Sequence, residues 1–500
     1  MKILTTEEVR QADAFTISNE PIASIDLMER AAKAFVKAFK DHSGRKRPVK
    51  IFCGPGNNGG DGLAVSRLLK IDKYQVDTYT INYTEQGSAD FLANFKRLSE
   101  KSKIKNITSL KDLPEINNED IIVDALFGSG LTRPLSGLYS EVIEALNSLP
   151  NYKVSVDIAS GLYADMPLTK ETAFKPDLTI SFQTPKMAFL IPENDSFVGD
   201  WEIVDIGLDD TFIQQTKSRN YLITGEYIGK KLKKRKKFAH KGDLGKGIII
   251  SGGYGKMGAS ILSARACIRT GIGLLTLHIP KCGYNILQST VPEAMVSTDK
   301  NEFYISNLPD LSEYNTIGIG PGIGTHSETI RMMHQLFENN TTPLVLDADA
   351  INIISKSSGL LEKLPRNSIL TPHLKEFERI AGPSQNHFER LQKLNEITSK
   401  HQIFVVLKGA FTAISTPEGK THFNSTGNPG MATGGSGDVL TGIITSLLAQ
   451  NYKPEEASII GVYIHGLAGD LAGSKFGHEG MISSDIIDCI PKAISLIKKK

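Results

Sequence analysis

Two α/β domains, each a mainly parallel sheet covered by helices on both sides, are what this 500-residue chain predicts. Three observations point there. The length exceeds what one core usually supports, so two domains of about 200–280 residues are expected. Short apolar stretches run again and again into glycine-containing loops and then into segments of helical spacing, the rhythm of strands alternating with helices. Finally, Asp209–Tyr227 is polar and weakly periodic, which places a boundary near Asp210–Leu222.

Thr5-Thr6-Glu7-Glu8 opens a first helix with a capping box from Thr5 to Glu8, and Val9, Ala12 and Phe15 fall on one side of it. Ile25–Phe39, rich in Ala, Met, Leu and Phe, is a second helix that ends before the turn-like Asp41–Pro48. Val49–Cys53 is a short apolar strand running into Gly54–Gly62 (GPGNNGGDG), after which Leu63–Leu69 resumes helical spacing. Strand, glycine turn, helix is an arrangement that binds phosphates. It returns at Ile121–Asp124 into Phe127–Leu131 (FGSGL), and at Val154–Asp157 into Ala159-Ser160-Gly161. Ligands collect at the carboxyl ends of strands in an open parallel sheet, so these three loops should converge on one crevice. Asp124 and Asp157 each end a strand, where an Asp can also cap the next element.

Lys230–Lys241 (KKLKKRKKFAHK) is the strong charge run of the chain. Nucleic-acid binding and a solvated helix face are both open to it, and the balanced total charge favours the face. Lys241-Gly242-Asp243 begins the second domain. Gly247–Ser251 reads as a strand feeding Gly252–Ala259 (GGYGKMGA) and a long helix, Ala259–Thr270, followed by a strand at Gly273–Ile279. Thr316–Ile319 into GPGIG, Pro343–Leu346 into DADA and Ile403–Leu407 into KGA repeat the rhythm. The densest chemistry lies in Asn428–Gly442 (NPGMATGGSGDVLTG). Val439, Leu440, Ile443, Ile444, Leu447 and Leu448 recur as one buried helical face, so Gly434, Gly435 and Gly437 sit at that helix's amino end and can aim N–H groups at an anion. Asp438 stands at the junction. A carboxylate repels phosphate unless a cation intervenes or the Asp faces a hydroxyl that attacks the phosphorus; the helix dipole alone also favours an Asp in a first turn.

At 40% hydrophobic and 22% charged residues the composition is that of an ordinary soluble protein, and a net charge of +2 argues against wholesale nucleic-acid binding. Cys53, Cys267, Cys282 and Cys489 form no CxxC pair, which points to neither a disulfide framework nor a zinc site. No run approaches 18 apolar residues and Glu7, Glu8 and Arg10 interrupt the amino terminus, so neither a membrane span nor export is expected and a cytoplasmic location is.

The C-terminal half resembles the NAD(P)H-hydrate dehydratases, a branch of the ribokinase-like fold. The resemblance runs through Asn428–Gly442, Lys241-Gly242-Asp243, Gly252–Ala259, Ile319–Gly324 (IGPGIG), Val345–Ala350 (VLDADA), Leu370–His373 (LTPH), Val406–Thr412 (VLKGAFT) and His465–Asp470 (HGLAGD). So many ordered blocks over about 260 residues are hard to obtain by accident. The N-terminal half resembles the NAD(P)H-hydrate epimerase domain through Cys53–Gly62 (CGPGNNGGDG), Val123–Gly137 (VDALFGSGLTRPLSG) and Val156–Gly161 (VDIASG). The implied architecture is a Rossmann-like three-layer sandwich over residues 1–210 and a ribokinase-like three-layer sandwich over 223–500.

Carried over position by position, the resemblance implies that Asn57, Asn58, Gly59, Gly60, Asp61, Gly128, Ser129, Gly130, Leu131, Thr132, Arg133, Pro134, Tyr139 and Asp157 hold a hydrated nicotinamide nucleotide, with Asp157 the proton-transfer group. Asn58, Asp124 and Ser160 would bind a potassium ion, for which their oxygens are suited. The family usually has Pro where this chain has Ala159. In the second domain Gly434–Gly437 would cradle the transferred phosphoryl group. Lys408, Gly409, Ala410, Phe411, Thr412 and Gly437 would contact the donor nucleotide, and Ala259, Gly322, His373 and the catalytic Asp438 would contact the hydrate. The implied function is repair of hydrated NADH and NADPH: epimerisation of the two hydrates, then ADP-dependent dehydration of one of them, releasing AMP and phosphate. Magnesium is expected with ADP. The expected partners are these small molecules and, in a homo-oligomer, further copies of the chain, with neither nucleic acid nor membrane. A ribokinase-like small-molecule kinase is the alternative for the second domain, and a non-catalytic nucleotide- or partner-binding module for the first.

Overall fold

The computed structural model describes residues 1–168 and 172–498. The chain divides into one unit of Lys2–Ser218 with Asn386–Phe388, and another of Arg219–Gln385 and Glu389–Lys500 with Met1. The divide falls within the stretch that reads as a polar seam. That stretch is folded: Asp210–Gln215 and Gly225–Lys231 are helices and Asn220–Leu222 a strand, each too short to show a period in sequence.

The first unit carries a seven-stranded, wholly parallel sheet in the order Ile104–Ile107, Val76–Ile81, Val49–Cys53, Ile121–Ala125, Lys153–Val156, Leu178–Phe182, Asp200–Val204. Alternation along Val49–Cys53 sends Ile51 and Cys53 into the core beneath helices Ser24–Ser43 and Asn57–Ile71, and Phe52 into a second core with Val142 and Ile143 of helix Leu138–Asn147. Both faces are therefore buried, giving three layers. The chain winds outward from Val49–Cys53 in one direction and from Ile121–Ala125 in the other, so the strand order reverses between these two neighbours. At such a point their C-terminal loops diverge and leave a crevice.

In the second unit the order is Asn220–Leu222, Thr421–Phe423, Ala413–Ser415, Phe404–Leu407, Ile369–Leu370, Leu344–Leu346, Thr316–Ile319, Lys246–Ile250, Leu274–Ile279, Met295–Thr298. Only Ala413–Ser415 runs antiparallel to its neighbours. Here the order reverses between Lys246–Ile250 and Thr316–Ile319. Helices Met257–Thr270 and Ser436–Ala449 lie against each other so closely that a Cβ on Gly442 would stand 2.1 Å from the Ser263 carbonyl oxygen.

The lysine-rich run is not a helix face. The helix Gly225–Lys231 stops at its start and Leu232–His240 contains no helix. Five consecutive cations, Lys233–Lys237, would place like charges three and four residues apart on one helix, which disfavours that conformation. No helix among the described residues is long and apolar enough to cross a membrane.

Candidate active sites

In the first unit the residues that read as a glycine turn begin a helix. Asn57–Ile71 starts on Asn57, with Gly56 before it, so Asn57–Asp61 form its first turn at the C-terminal edge of the sheet. Gly59 allows this close entry: a Cβ there would lie 1.8 Å from the Gly54 carbonyl oxygen. A cavity of about 380 Å³ opens at the strand-order reversal, lined by Asn57, Asn58, Asp61, Gly128, Ser129, Gly130, Leu131 and Asp157 among the expected residues. Gly59 and Gly60 are buried in the helix behind it. Thr132, Arg133 and Pro134 are exposed and outside the cavity lining, and the Tyr139 hydroxyl donates to the Ile81 carbonyl at 3.1 Å while its ring packs edge-on against Phe127.

Asp157 follows the strand Lys153–Val156 with φ +66, the left-handed region that a non-glycine residue enters only at a cost. Its Oδ1 accepts from Lys186 Nζ at 2.8 Å, the Phe182 N–H at 3.1 Å and Ser181 Oγ at 3.2 Å. Oδ2 accepts no hydrogen bond among the described residues. Lys186 is almost wholly buried, and its Nζ also donates to the Phe182 carbonyl at 3.2 Å. Asp13, from helix Thr6–Asn19, lines the same cavity, and burial, reinforced by Asp157, pushes its carboxyl up to about 6. Burial, Asp157 and Asp13 together also hold the Asp61 carboxyl far above the usual range.

Beneath the cavity floor lies fully buried Asp124. Its Oδ1 accepts from Ser160 Oγ at 2.6 Å and the Leu126 N–H at 3.2 Å, and its Oδ2 from the Ser160 N–H at 2.8 Å and Ser155 Oγ at 3.1 Å. Burial raises its carboxyl despite these donors. Asn58 donates through Nδ2 to the Val156 carbonyl at 2.8 Å, while its Oδ1 is buried with no hydrogen-bond partner. An orphaned amide oxygen is costly.

In the second unit the loops after Lys246–Ile250 and Thr316–Ile319 meet. The Gly252 N–H donates to the Pro321 carbonyl at 2.8 Å, and a Cβ on Gly322 would stand 3.4 Å from that of Ala259. Gly435, at φ +89, turns the chain into helix Ser436–Ala449. Asp438 is in the first turn, half-buried, and its carboxyl is pushed up to about 6 by burial and by Asp347, against the opposing pull of Lys408. Asp347 accepts from Lys408 Nζ at 2.9 Å on Oδ1 and from Thr441 Oγ1 at 2.8 Å on Oδ2. A Cβ on Gly437 would lie 3.2 Å from Lys408 Nζ, so the expected nucleotide loop and the glycine run converge. Beside them, Asp349 Oδ2 accepts from the Gly324 N–H at 2.8 Å and Lys256 Nζ at 3.2 Å. In the loop Lys408–Thr412, Thr412 Oγ1 donates to the Gly409 carbonyl at 3.0 Å, while Gly409 and Ala410 are exposed. His373 also serves the fold, since its Nδ1 accepts the Glu376 N–H at 3.2 Å and caps helix Leu374–Ala381.

Sequence reasoning alone passes over Asp13, Lys186, Asp347, Asp349 and Thr441. Asp347 and Asp349 sit inside the matched VLDADA block and were there to be found. Asp13 and Lys186 lie far from the glycine motifs and carry no local signature, so only the fold brings them to Asp157.

The family described as NAD(P)H-hydrate dehydratase matches residues 248–492, and that described as YjeF-related protein N-terminus matches 24–188. Bifunctional NAD(P)H-hydrate repair enzymes of Thermofilum pendens and Moorella thermoacetica are 31% and 32% identical over 100% of this chain, covering 97% and 98% of their own lengths. The corresponding Escherichia coli enzyme is 31% identical over 98% of this chain and 93% of its own. Among solved structures, the ADP/ATP-dependent NAD(P)H-hydrate dehydratase from Bacillus subtilis, co-crystallised with ATP and Mg²⁺, is 27% identical with a TM-score of 0.50, covering 55% of this chain and 98% of that one. End-to-end similarity to such relatives places the chain in the family of bifunctional NAD(P)H-hydrate repair enzymes.

Proposed function

We propose that the unit of Lys2–Ser218 interconverts the two epimers of hydrated NADH or NADPH, and that the other unit uses ADP to phosphorylate and then dehydrate one of them. The observation that carries this reading is Asp438, a carboxyl held near 6 in the first turn of a glycine-entered helix, beside Lys408 and Asp347. A base poised near neutral pH takes a hydroxyl proton better than an ordinary carboxylate. The hydrate's oxygen then bonds to the terminal phosphorus of ADP and AMP departs. Phosphate next leaves with the C–O bond electrons while the neighbouring ring carbon loses a proton, which restores the dihydronicotinamide. Lys408 and the N–H groups around Gly434–Gly437 hold the transferred group, Lys408–Thr412 the nucleotide, and Ala259, Gly322 and His373 the hydrate. Asp347 and Asp349 offer the hard oxygens that magnesium requires; bound with the nucleotide, it would neutralise phosphate charge.

In the first unit Asp157, fixed by Lys186 through one oxygen, has the other available to move a proton, and Asp13 can hold the counter-proton in the same cavity. A purely binding crevice has no need of a buried Lys–Asp pair beside carboxyls raised by burial. The unpartnered Asn58 Oδ1, with Asp124 and Ser160, fits a potassium ion, which would stiffen this floor. Thr132, Arg133, Pro134 and Tyr139 act at the rim, next to the cavity rather than in it.

The test is recovery of reduced-nicotinamide absorbance from its hydrate with ADP and with ATP as donors. Recovery with stoichiometric AMP and phosphate is expected with ADP. A stable phosphorylated alcohol instead would make the second unit a simple kinase.

A further inference from the structure

The second unit holds a larger cavity, about 1040 Å³, that none of the catalytic loops reaches. It lies at the other end of the sheet. Its lining includes Leu244, just before strand Lys246–Ile250, and Thr270 and Gln450, where helices Met257–Thr270 and Ser436–Ala449 end; the same helices begin at the catalytic loops.

The walls are strongly basic. Lys233, Lys234, Arg235, Lys236, Arg265, Arg269 and Lys498 face only Asp243, Glu293 and Asp488. Three of the cations are engaged at helix ends. Lys233 Nζ donates to the Asn451 carbonyl at 2.6 Å and lies 4.3 Å over the Tyr452 ring, Arg235 donates to the Gly271 carbonyl, and Arg265 to the Thr290 carbonyl at 3.0 Å. Those bonds satisfy carbonyls that a helix leaves unpaired. Lys234, Lys236, Arg269 and Lys498 make no ion pair among the described residues, whereas the flanking Lys230 and Lys231 both do. Four unpaired cations around one depression repel each other unless an anion sits among them. Between them the floor is apolar, formed by Ile268, Leu447 and Ile487. A cationic rim around an apolar floor suits a molecule with the same two parts, and the volume is that of small-molecule sites, roughly 300–1,000 Å³.

We propose that this cavity is a second binding site, separate from both catalytic crevices, for a small organic polyphosphate of the nucleoside di- or triphosphate class. Its phosphates meet Lys234, Lys236, Arg269 and Lys498, and its apolar part rests on the floor.

Equilibrium dialysis of the full-length chain with ATP at low ionic strength tests it. Lys234→Glu/Lys236→Glu should bind one ATP fewer per chain than the natural protein, or bind the last one at least tenfold more weakly, with dehydration at saturating donor unchanged. Lys234→Arg/Lys236→Arg should keep the full count. Arg269→Gln, on a helix rather than the loop, should weaken the same site, so the result does not depend on the loop's conformation. Inorganic tripolyphosphate should displace ATP from this site but bind more weakly, lacking an apolar part. An equal ATP count with unchanged affinities in the natural and charge-reversed chains overturns the proposal, and so does tripolyphosphate binding there as tightly as ATP.

Discussion

On the proposed reading, Asp438 ties the chemistry to pH. With the carboxyl near 6, kcat/KM for dehydration should fall about tenfold per unit as pH drops below that value, because this ratio reports the free enzyme's base. Asp438→Asn should lower dehydration by about 100- to 10,000-fold and remove that limb of the profile. Stability moves the other way. The folded pKa lies above the ordinary 3.8, so the bound proton's stabilisation is complete below the unfolded value and is lost as pH rises to 6. The asparagine variant should accordingly melt above the natural protein at pH 8 and lose that advantage by pH 4; equal melting at both would show that Asp438 titrates normally. Asp124 poses a separate question. Asp124→Ala should weaken epimerisation while dehydration of the correct epimer persists, and equal damage to both activities in a folded chain would contradict the division of labour. The glycine-entered helix carrying Asp438 was legible in sequence because its glycine run is local. Asp13 and Lys186 were not, since they flank the motifs at distances only the sheet closes.

Whole elements were legible where burial is two-sided. Val49–Cys53 and Thr316–Ile319 are strands with the limits their apolar runs suggest. Asn57–Asp61 reads as loop because two glycines and two asparagines lower helix propensity, yet a close approach to Gly54 sets a helical turn there. The lysine run is misread for the opposite reason: its side chains fit a helix, but their mutual repulsion and the carbonyls at neighbouring helix ends favour an irregular path. Packing between elements also makes a quantitative demand. Gly442→Ala would drive a methyl into the Ser263 carbonyl and should destabilise the second unit by about 1–3 kcal/mol in urea unfolding. A smaller loss would mean that helices Met257–Thr270 and Ser436–Ala449 separate freely.

At the scale of the molecule, two crevices share one diffusible substrate. The dehydrating pocket is chiral, so from an epimer mixture the natural chain should recover nearly all reduced nucleotide in one fast phase. Asp157→Ala should give a fast partial recovery and then a slow phase set by uncatalysed epimerisation. Mixing full-length Asp157→Ala with full-length Asp438→Asn should restore the single fast phase, each chain supplying the activity the other lacks. Persistence of the slow phase in the mixture would mean that the epimer passes between units without entering solution.

Asp157, at φ +66 and bonded to buried Lys186, also bears on how such an enzyme could be engineered. A left-handed non-glycine residue costs about 1–2 kcal/mol, and a buried ion pair is often matched or bettered by apolar packing. Asp157→Gly/Lys186→Met should therefore melt at or above the natural protein while epimerising nothing, and a clearly lower melting point would show that the pair holds the fold together. Directed evolution for heat tolerance, scored only by regenerated nicotinamide from the reactive epimer, would drift toward such a chain and discard half of the repair cycle without registering its loss.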